Sequence, residues 1–278
     1  MRVLVLGALA IMFASACKRE RPEPHAAAVP ALPAITEVSP QVVEASVRRG
    51  LSFLGRDRSD LSALVVLDYL HRKYGLPSDF AFEATHPGGG DDDKLRTWGR
   101  FVGDDRLRDV SLLGRLRGDP SVEEVVMHTL YCDRSPLPPT FVAQLKRFAQ
   151  RGDYQNTHGV LALKLASDNE CPLDPTLVDG LKATLRAGLQ EIARRMPADA
   201  RFEALDVRYE ALAVYEDFLG ERDAPTSAIA RLLAEQQPDG GWKPAADQSS
   251  RPHPTVMAVW ALLARLQPDA PSIHFARH

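Results

Sequence analysis

From Pro40 onward the chain alternates between two hydrophobic patterns. The first is one-sided. Leu177, Val178, Leu181, Leu185, Leu189 and Ile192 recur at helical spacing, with Asp179, Lys182, Arg186 and Glu191 between them. Phe141, Leu145 and Phe148 repeat the pattern, which assigns Gln144, Lys146 and Arg147 to the water side. Ala228, Ile229, Leu232, Leu233 and Gln236 form a third stripe, opened by the start signals Pro225 and Thr226. The second pattern is apolar nearly all round and covers 61–70, 160–166, 211–219 and 256–266. A helix without a polar face must be covered on every side. Alternating one-faced and all-round helices therefore predict an all-α fold in two concentric layers, an α/α toroid or a helical solenoid. We count about five helical hairpins, whose inner helices start near Asp60, Val122, Thr157, Arg208 and Thr255.

The spacing of those starts is irregular. The longest gap contains residues 80–119, rich in Gly and Asp, which read as an insertion with one short helix around Leu95 to Val102. Residues 18–39 contain four prolines, many alanines and no amphipathic period, the composition of an extended tether. The folded domain is thus expected over 40–278.

Residues 1–16 belong to neither pattern. Arg2 precedes an unbroken apolar stretch, Val3 to Phe13, too short to span a bilayer but suited to a signal peptide. Ala14-Ser15-Ala16-Cys17 follows. It resembles the lipobox of bacterial lipoproteins, in which small residues precede a Cys that is lipidated and becomes the mature N-terminus. The departure is Ala14, where that family usually has Leu. Ala14-Ser15-Ala16 also reads as an ordinary A-x-A secretory cleavage site. The resemblance implies an exported chain held in the bacterial cell envelope, at the outer membrane, by acyl chains such as palmitate on Cys17. No other apolar run is long enough to serve as a transmembrane helix.

Of the 278 residues, 45% are hydrophobic and 26% charged, an ordinary globular balance with room for one large domain or two small ones. The net charge is −3, with both signs interspersed, and it becomes −4 once residues 1–16, carrying Arg2, are removed. No basic stripe exists to neutralise phosphates, so nucleic acid is excluded as a partner. Setting Cys17 aside as the lipid site leaves an even pair, Cys132 and Cys171, in an oxidising compartment. Each follows an inner-type helix, and parallel neighbouring helices would bring both to one rim as a disulfide. Free buried thiols or metal ligands are the competing readings.

Near the C-terminus stands Gln236-Gln237-Pro238-Asp239-Gly240-Gly241-Trp242. It resembles the Q-x3-G-x-W repeat of the terpenoid cyclase and protein prenyltransferase superfamily, matching at Gln236, Gly240 and Trp242. In that superfamily the repeat marks the turn after an outer helix of an α/α toroid, and its residues are structural. The likeness covers residues 225–267; the remainder matches only in period. The superfamily's activities do not carry over. Asp91-Asp92-Asp93, after Gly88-Gly89-Gly90, lacks the D-x-D-D spacing of the cyclases, and it reads, like Asp104-Asp105, as a solvated charge run. Tyr131-Cys132-Asp133 is not the Asp-x-Cys zinc pair of the transferases. G-x-S-x-G, P-loop, H-E-x-x-H and C-x-x-C signatures are missing, so no catalytic residue, metal or cofactor is assigned.

One constellation remains. Glu124, His128, His158, Tyr209, Glu210 and His253 fall at or near the N-terminal ends of inner-type helices, which a toroid would gather around one mouth of its cavity. Glu124 and His128, four apart, share a helix face. Such a ring could bind an acidic ligand or a metal, or perform acid/base chemistry. Each residue could equally cap a helix or pair with a neighbouring charge. The expected function is an envelope lipoprotein whose helical domain is a binding or structural module for a small ligand or an envelope protein. The alternative is an envelope enzyme of hydrolase or lyase type using the His/Glu ring.

Overall fold

The computed structural model describes residues 38–85, 98–103, 121–194, 204–218, 226–246 and 248–275. The signal, Cys17, nearly all of the tether and both Asp runs of the 80–119 segment lie outside them. Among the described residues the chain is helical without strands; the β pairing there is an isolated antiparallel bridge between Trp242 and Arg251. The helices are α1 (Pro40–Arg56), α2 (Leu61–Tyr74), the single turn α3 (Phe82–Thr85), α4 (Val122–Leu130), α5 (Phe141–Arg151) and α6 (Asp153–Asp168). They continue as α7 (Pro175–Arg194), α8 (Ala204–Phe218), α9 (Thr226–Ala234) and α10 (Pro252–Leu266).

Local signals start several of them. Ser39 caps α1 before a proline in its first turn, and Asp60 caps α2 by accepting from Ala63 N at 3.1 Å. Ser121 and Glu124 form a reciprocal capping box on α4. Burial then separates two kinds of helix. In α10 every residue from Pro254 to Ala264 is buried, as is every residue of α8 from Arg208 to Glu216. The segments Ala63–Leu70 in α2 and Asn156–Leu163 in α6 are also fully covered. By contrast α1, α5, α7 and α9 bury one stripe each.

The patterns missed in three places. Gln144, expected toward water, is buried, because it lies one turn from Phe141 and beside Leu145 on the stripe that α5 packs inward. Gln236 lies beyond the end of α9 and works as a turn residue. The helix expected around 95–102 is, in its described part, a 3-10 turn at Gly99–Val102.

The buried helices neighbour one another: α2 packs on α10, α10 on α8, α8 on α6, and α6 on α4. The one-faced helices lie against them, α1 on α10, α5 on α6, and α7 on both α6 and α8. The Gly99–Val102 turn is tied to both α2 and α4. Arg72 of α2 donates to the Phe101 carbonyl, while Arg100 donates to Leu130 O at 2.7 Å and pairs with Asp133.

The Gln236–Trp242 segment is a fastener between α9 and α1. Gln236 Nε2 donates to the Ser46 and Gly240 carbonyls, both at 2.9 Å, and its Oε1 accepts from Ser46 Oγ at 2.8 Å. Gly240 sits at φ +93, and a Cβ there would lie 2.5 Å from the Arg49 carbonyl oxygen. Trp242 is fully buried, donates from Nε1 to Leu232 O at 2.8 Å, and packs its ring against Gly50 of α1.

Cys132 and Cys171 form a disulfide between the chain leaving α4 and the chain leaving α6, with their Cα atoms 5.6 Å apart. The C-terminal segment docks at the same end, where Phe275 N donates to Asn169 Oδ1 at 3.1 Å. Replacing both cysteines by Ser is expected to lower unfolding free energy by about 4 kcal/mol in urea melts, from the loop-closure entropy of a 39-residue separation. Trp242→Ala is expected to cost about 3–5 kcal/mol in the same measurement, because a large buried ring leaves a cavity.

Candidate functional site

The N-terminal halves of the buried helices open onto one pocket. Leu61 and Ser62 enter from α2, Glu123 from α4, Tyr154 and His158 from α6, Glu210 from α8, and His253 from α10. Helices that present the same end to one pocket run parallel, and the disulfide joins the other ends of two of them, α4 and α6. The floor is apolar. It consists of Val65, Val66, Leu161, Val214, Met257 and Trp260 from deeper turns, with Trp98 and Phe101 from the 3-10 turn and the residue before it. The pocket encloses about 810 Å³ of space outside protein atoms, mouth included, of which about 110 Å³ can hold the centres of water molecules. That is room for several waters or a small apolar body.

Two imidazoles dominate the polar wall, and each is backed by a carboxylate from α8. His158 Nδ1 lies 3.0 Å from Glu210 Oε1 and 3.1 Å from the Tyr154 carbonyl. Thr157 Oγ1 is 2.8 Å from the same Glu210 oxygen. His253 Nδ1 lies 3.0 Å from both oxygens of Asp206. With each Nδ1 facing acceptors, the Nδ1 proton is fixed and Nε2 is the atom left for the pocket.

The charges follow from these contacts. Burial alone would lower the His253 imidazolium, but Asp206 and then Glu210 override it and push the group up to about 9. His158 is also raised, because Glu210 outweighs its desolvation. Burial would raise Glu210; the two imidazoliums pull it below the usual carboxylate range. At neutral pH His253 is therefore an imidazolium paired with Asp206, and the Glu210 contact favours the charged form of His158.

Three of the six residues singled out in the sequence, His158, Glu210 and His253, meet in this pocket. The other three do different work. Glu124 accepts from Ser121 N at 2.7 Å in the α4 capping box. His128 is buried with neither ring nitrogen hydrogen-bonded among the described residues, and burial lowers its imidazole against the pull of Glu124. Tyr209 is fully buried, with the Arg208 guanidinium 5.4 Å from its ring centre. Asp206, Glu123, Tyr154 and Trp98 belong to the site and were not picked out. Asp206 had a signal: it lies four residues before Glu210, on the same face of α8. Trp98 had none, since a distant segment delivers it.

Behind the floor a second buried pair braces the helices. Lys73 of α2 pairs with Asp217 of α8, which also accepts from Tyr69 Oη at 2.9 Å and from Trp260 Nε1 at 2.7 Å. Trp260 is thereby fixed between the pocket and the ion pair. Among the described residues no group of three His, Cys, Asp or Glu side chains has the arrangement to hold a metal ion.

The raised His253 value sets a pH signature. A raised imidazolium contributes its full stabilisation below the unfolded value near about 6.5 and loses it as pH rises through about 9. His253→Gln is thus expected to cost on the order of 2 kcal/mol in urea melts at pH 6, and much less at pH 10. Equal losses at both pH values would refute the pairing with Asp206. Comparison of the chain with protein-family models, curated proteins and solved structures gives no match.

Proposed function

We propose that this chain is an exported, envelope-anchored binding module whose parallel buried helices form a toroid-like ring and hold a small ligand with an apolar body in the pocket at their N-terminal ends. The observation that carries the reading is the shape of the site: a rim of charged pairs over a floor of aliphatic and aromatic side chains. Such a division binds by burying apolar surface and orients by the few polar groups above it. The anchor follows from the Cys17 lipobox resemblance, and the work of Gln236, Gly240 and Trp242 in the α9–α1 junction agrees with a toroid-type turn.

An enzymatic reading has one observation in its favour. Each pocket imidazole is backed at Nδ1 by a carboxylate, which in general-base catalysis orients Nε2 toward a substrate. The charge on His253, raised to about 9, weighs against it there, because an imidazole already protonated at neutral pH is a poor base. Release of nitrophenol from p-nitrophenyl butyrate, lost in His158→Gln, would reverse the preference.

The binding reading is tested with N-phenylnaphthylamine, a neutral apolar fluorophore. Its emission is expected to rise saturably on mixing with the wild-type chain. Met257→Trp, which fills the floor, should abolish the rise. No saturable signal, or one unchanged in Met257→Trp, would defeat the proposal. Cys17→Ser is expected to move the protein from the membrane to the soluble fraction of its cells; continued membrane association would count against the lipid anchor.

A further inference from the structure

We propose that the ligand of this pocket is a carboxylate-headed amphiphile, its head oxygens meeting Nε2 of His158 and His253 and its apolar body lying on Val65, Val214, Met257 and Trp260. The inference rests on the binding reading above and adds the head group.

What the pocket offers is set by which atoms are already committed. The carboxylates of Glu210 and Asp206 are turned to the Nδ1 atoms of the two imidazoles, and Glu210 is 4% exposed. Among the described residues neither Nε2 has a hydrogen-bond partner, although His158 is only 8% exposed. The polar wall thus presents two N–H donors without acceptors, above a floor that has none to give. Both Nε2 atoms reach solvent, so an arriving acceptor takes the place of water on them. A carboxylate accepts from two donors at once, and a charge-assisted bond is about twice as strong as a neutral one. The backbone adds the same sign. His253 lies in the first turn of α10, which carries no acidic residue, so its amide dipoles favour an anion.

The charged and titratable groups facing His253 and His158 are few. Asp60 of α2 is occupied as a cap, Glu123 comes from α4, Tyr154 from α6, and Asp206 and Glu210 from α8. Among the described residues Glu123 forms no ion pair, so it is the lining carboxylate that would repel an anionic head without a cation beside it to offset the charge. An ammonium head would gain from Glu123 but would meet the His253 imidazolium. A hydroxyl head supplies one acceptor and no charge.

The test compares three ligands with the same tail and different heads: octanoate, octyltrimethylammonium and octanol. Binding is read from the tryptophan emission of the full-length chain, below the micelle concentrations of the ligands. Octanoate is expected to bind about tenfold more tightly than either of the others at pH 7. His253→Gln should remove most of that preference, and Glu123→Gln should tighten octanoate by about threefold. Because His253 stays charged up to about 9, the preference should persist at pH 7.5 and vanish by pH 10. Equal or tighter binding of octyltrimethylammonium or octanol by the wild-type chain overturns the proposal without any variant. If N-phenylnaphthylamine binds but octanoate has no advantage, only the head-group assignment falls. If neither binds, the binding reading falls with it.

Discussion

A helix with no polar face can exist in water only if other helices surround it, and that requirement organises this chain. The buried stretch from Pro254 to Ala264 in α10 spans three turns without one exposed position. Its coverage comes from α1, α2 and α8, and the same demand repeats around α6, which touches α4, α5, α7 and α8. Since hydrophobic burial is non-directional, it brings the helices together without choosing their register. Register comes from a few specific contacts. The disulfide joins the ends of α4 and α6, Gln236 and Trp242 lock the end of α9 to α1, and Lys73 with Asp217 ties α2 to α8 behind Trp260.

The same dry interior explains why the charges near the pocket come in pairs. A lone buried carboxylate or imidazolium would shed its charge before accepting desolvation. Glu210 stays ionised because His158 is beside it, and His253 stays protonated because Asp206 faces it with both oxygens. His128 shows the contrasting outcome. It is buried, among the described residues no group is bonded to its ring nitrogens, and its imidazole is pushed toward the neutral form. Identical side chains on adjacent buried helices thus carry different charges according to what the next helix supplies.

Parallel packing gives the two ends of the buried helices different roles. The C-terminal ends are closed by the disulfide, the Asn169 contacts and the docked Phe275, whose ring stacks on Phe101 at 5.0 Å. The N-terminal ends open onto the pocket, with capping side chains on α2 and α4 and imidazole–carboxylate contacts between α6, α8 and α10. Phe101 joins the two, lining the pocket on one side and meeting Phe275 on the other.

The all-helical class, the alternation of covered and one-faced helices, and the joining of Cys132 to Cys171 were legible in one dimension, because hydrophobic period is a local property of a chain and each of the two cysteines follows the end of a covered helix. So was the collection of His158, Glu210 and His253 at helix starts. Whether a polar residue near a helix start faces the pocket or the backbone was not legible. Glu124 and Glu123 are neighbours in sequence with the same chemistry, yet one caps α4 and the other lines the site, and a rotation of 100° per residue separates them. Trp98 and Phe101 reach the floor from a segment whose sequence announces no such role, through the grip of Arg72 and Arg100 on distant helices. Local pattern states what each segment must hide; only the packing of all of them decides which polar groups are left facing the space that remains.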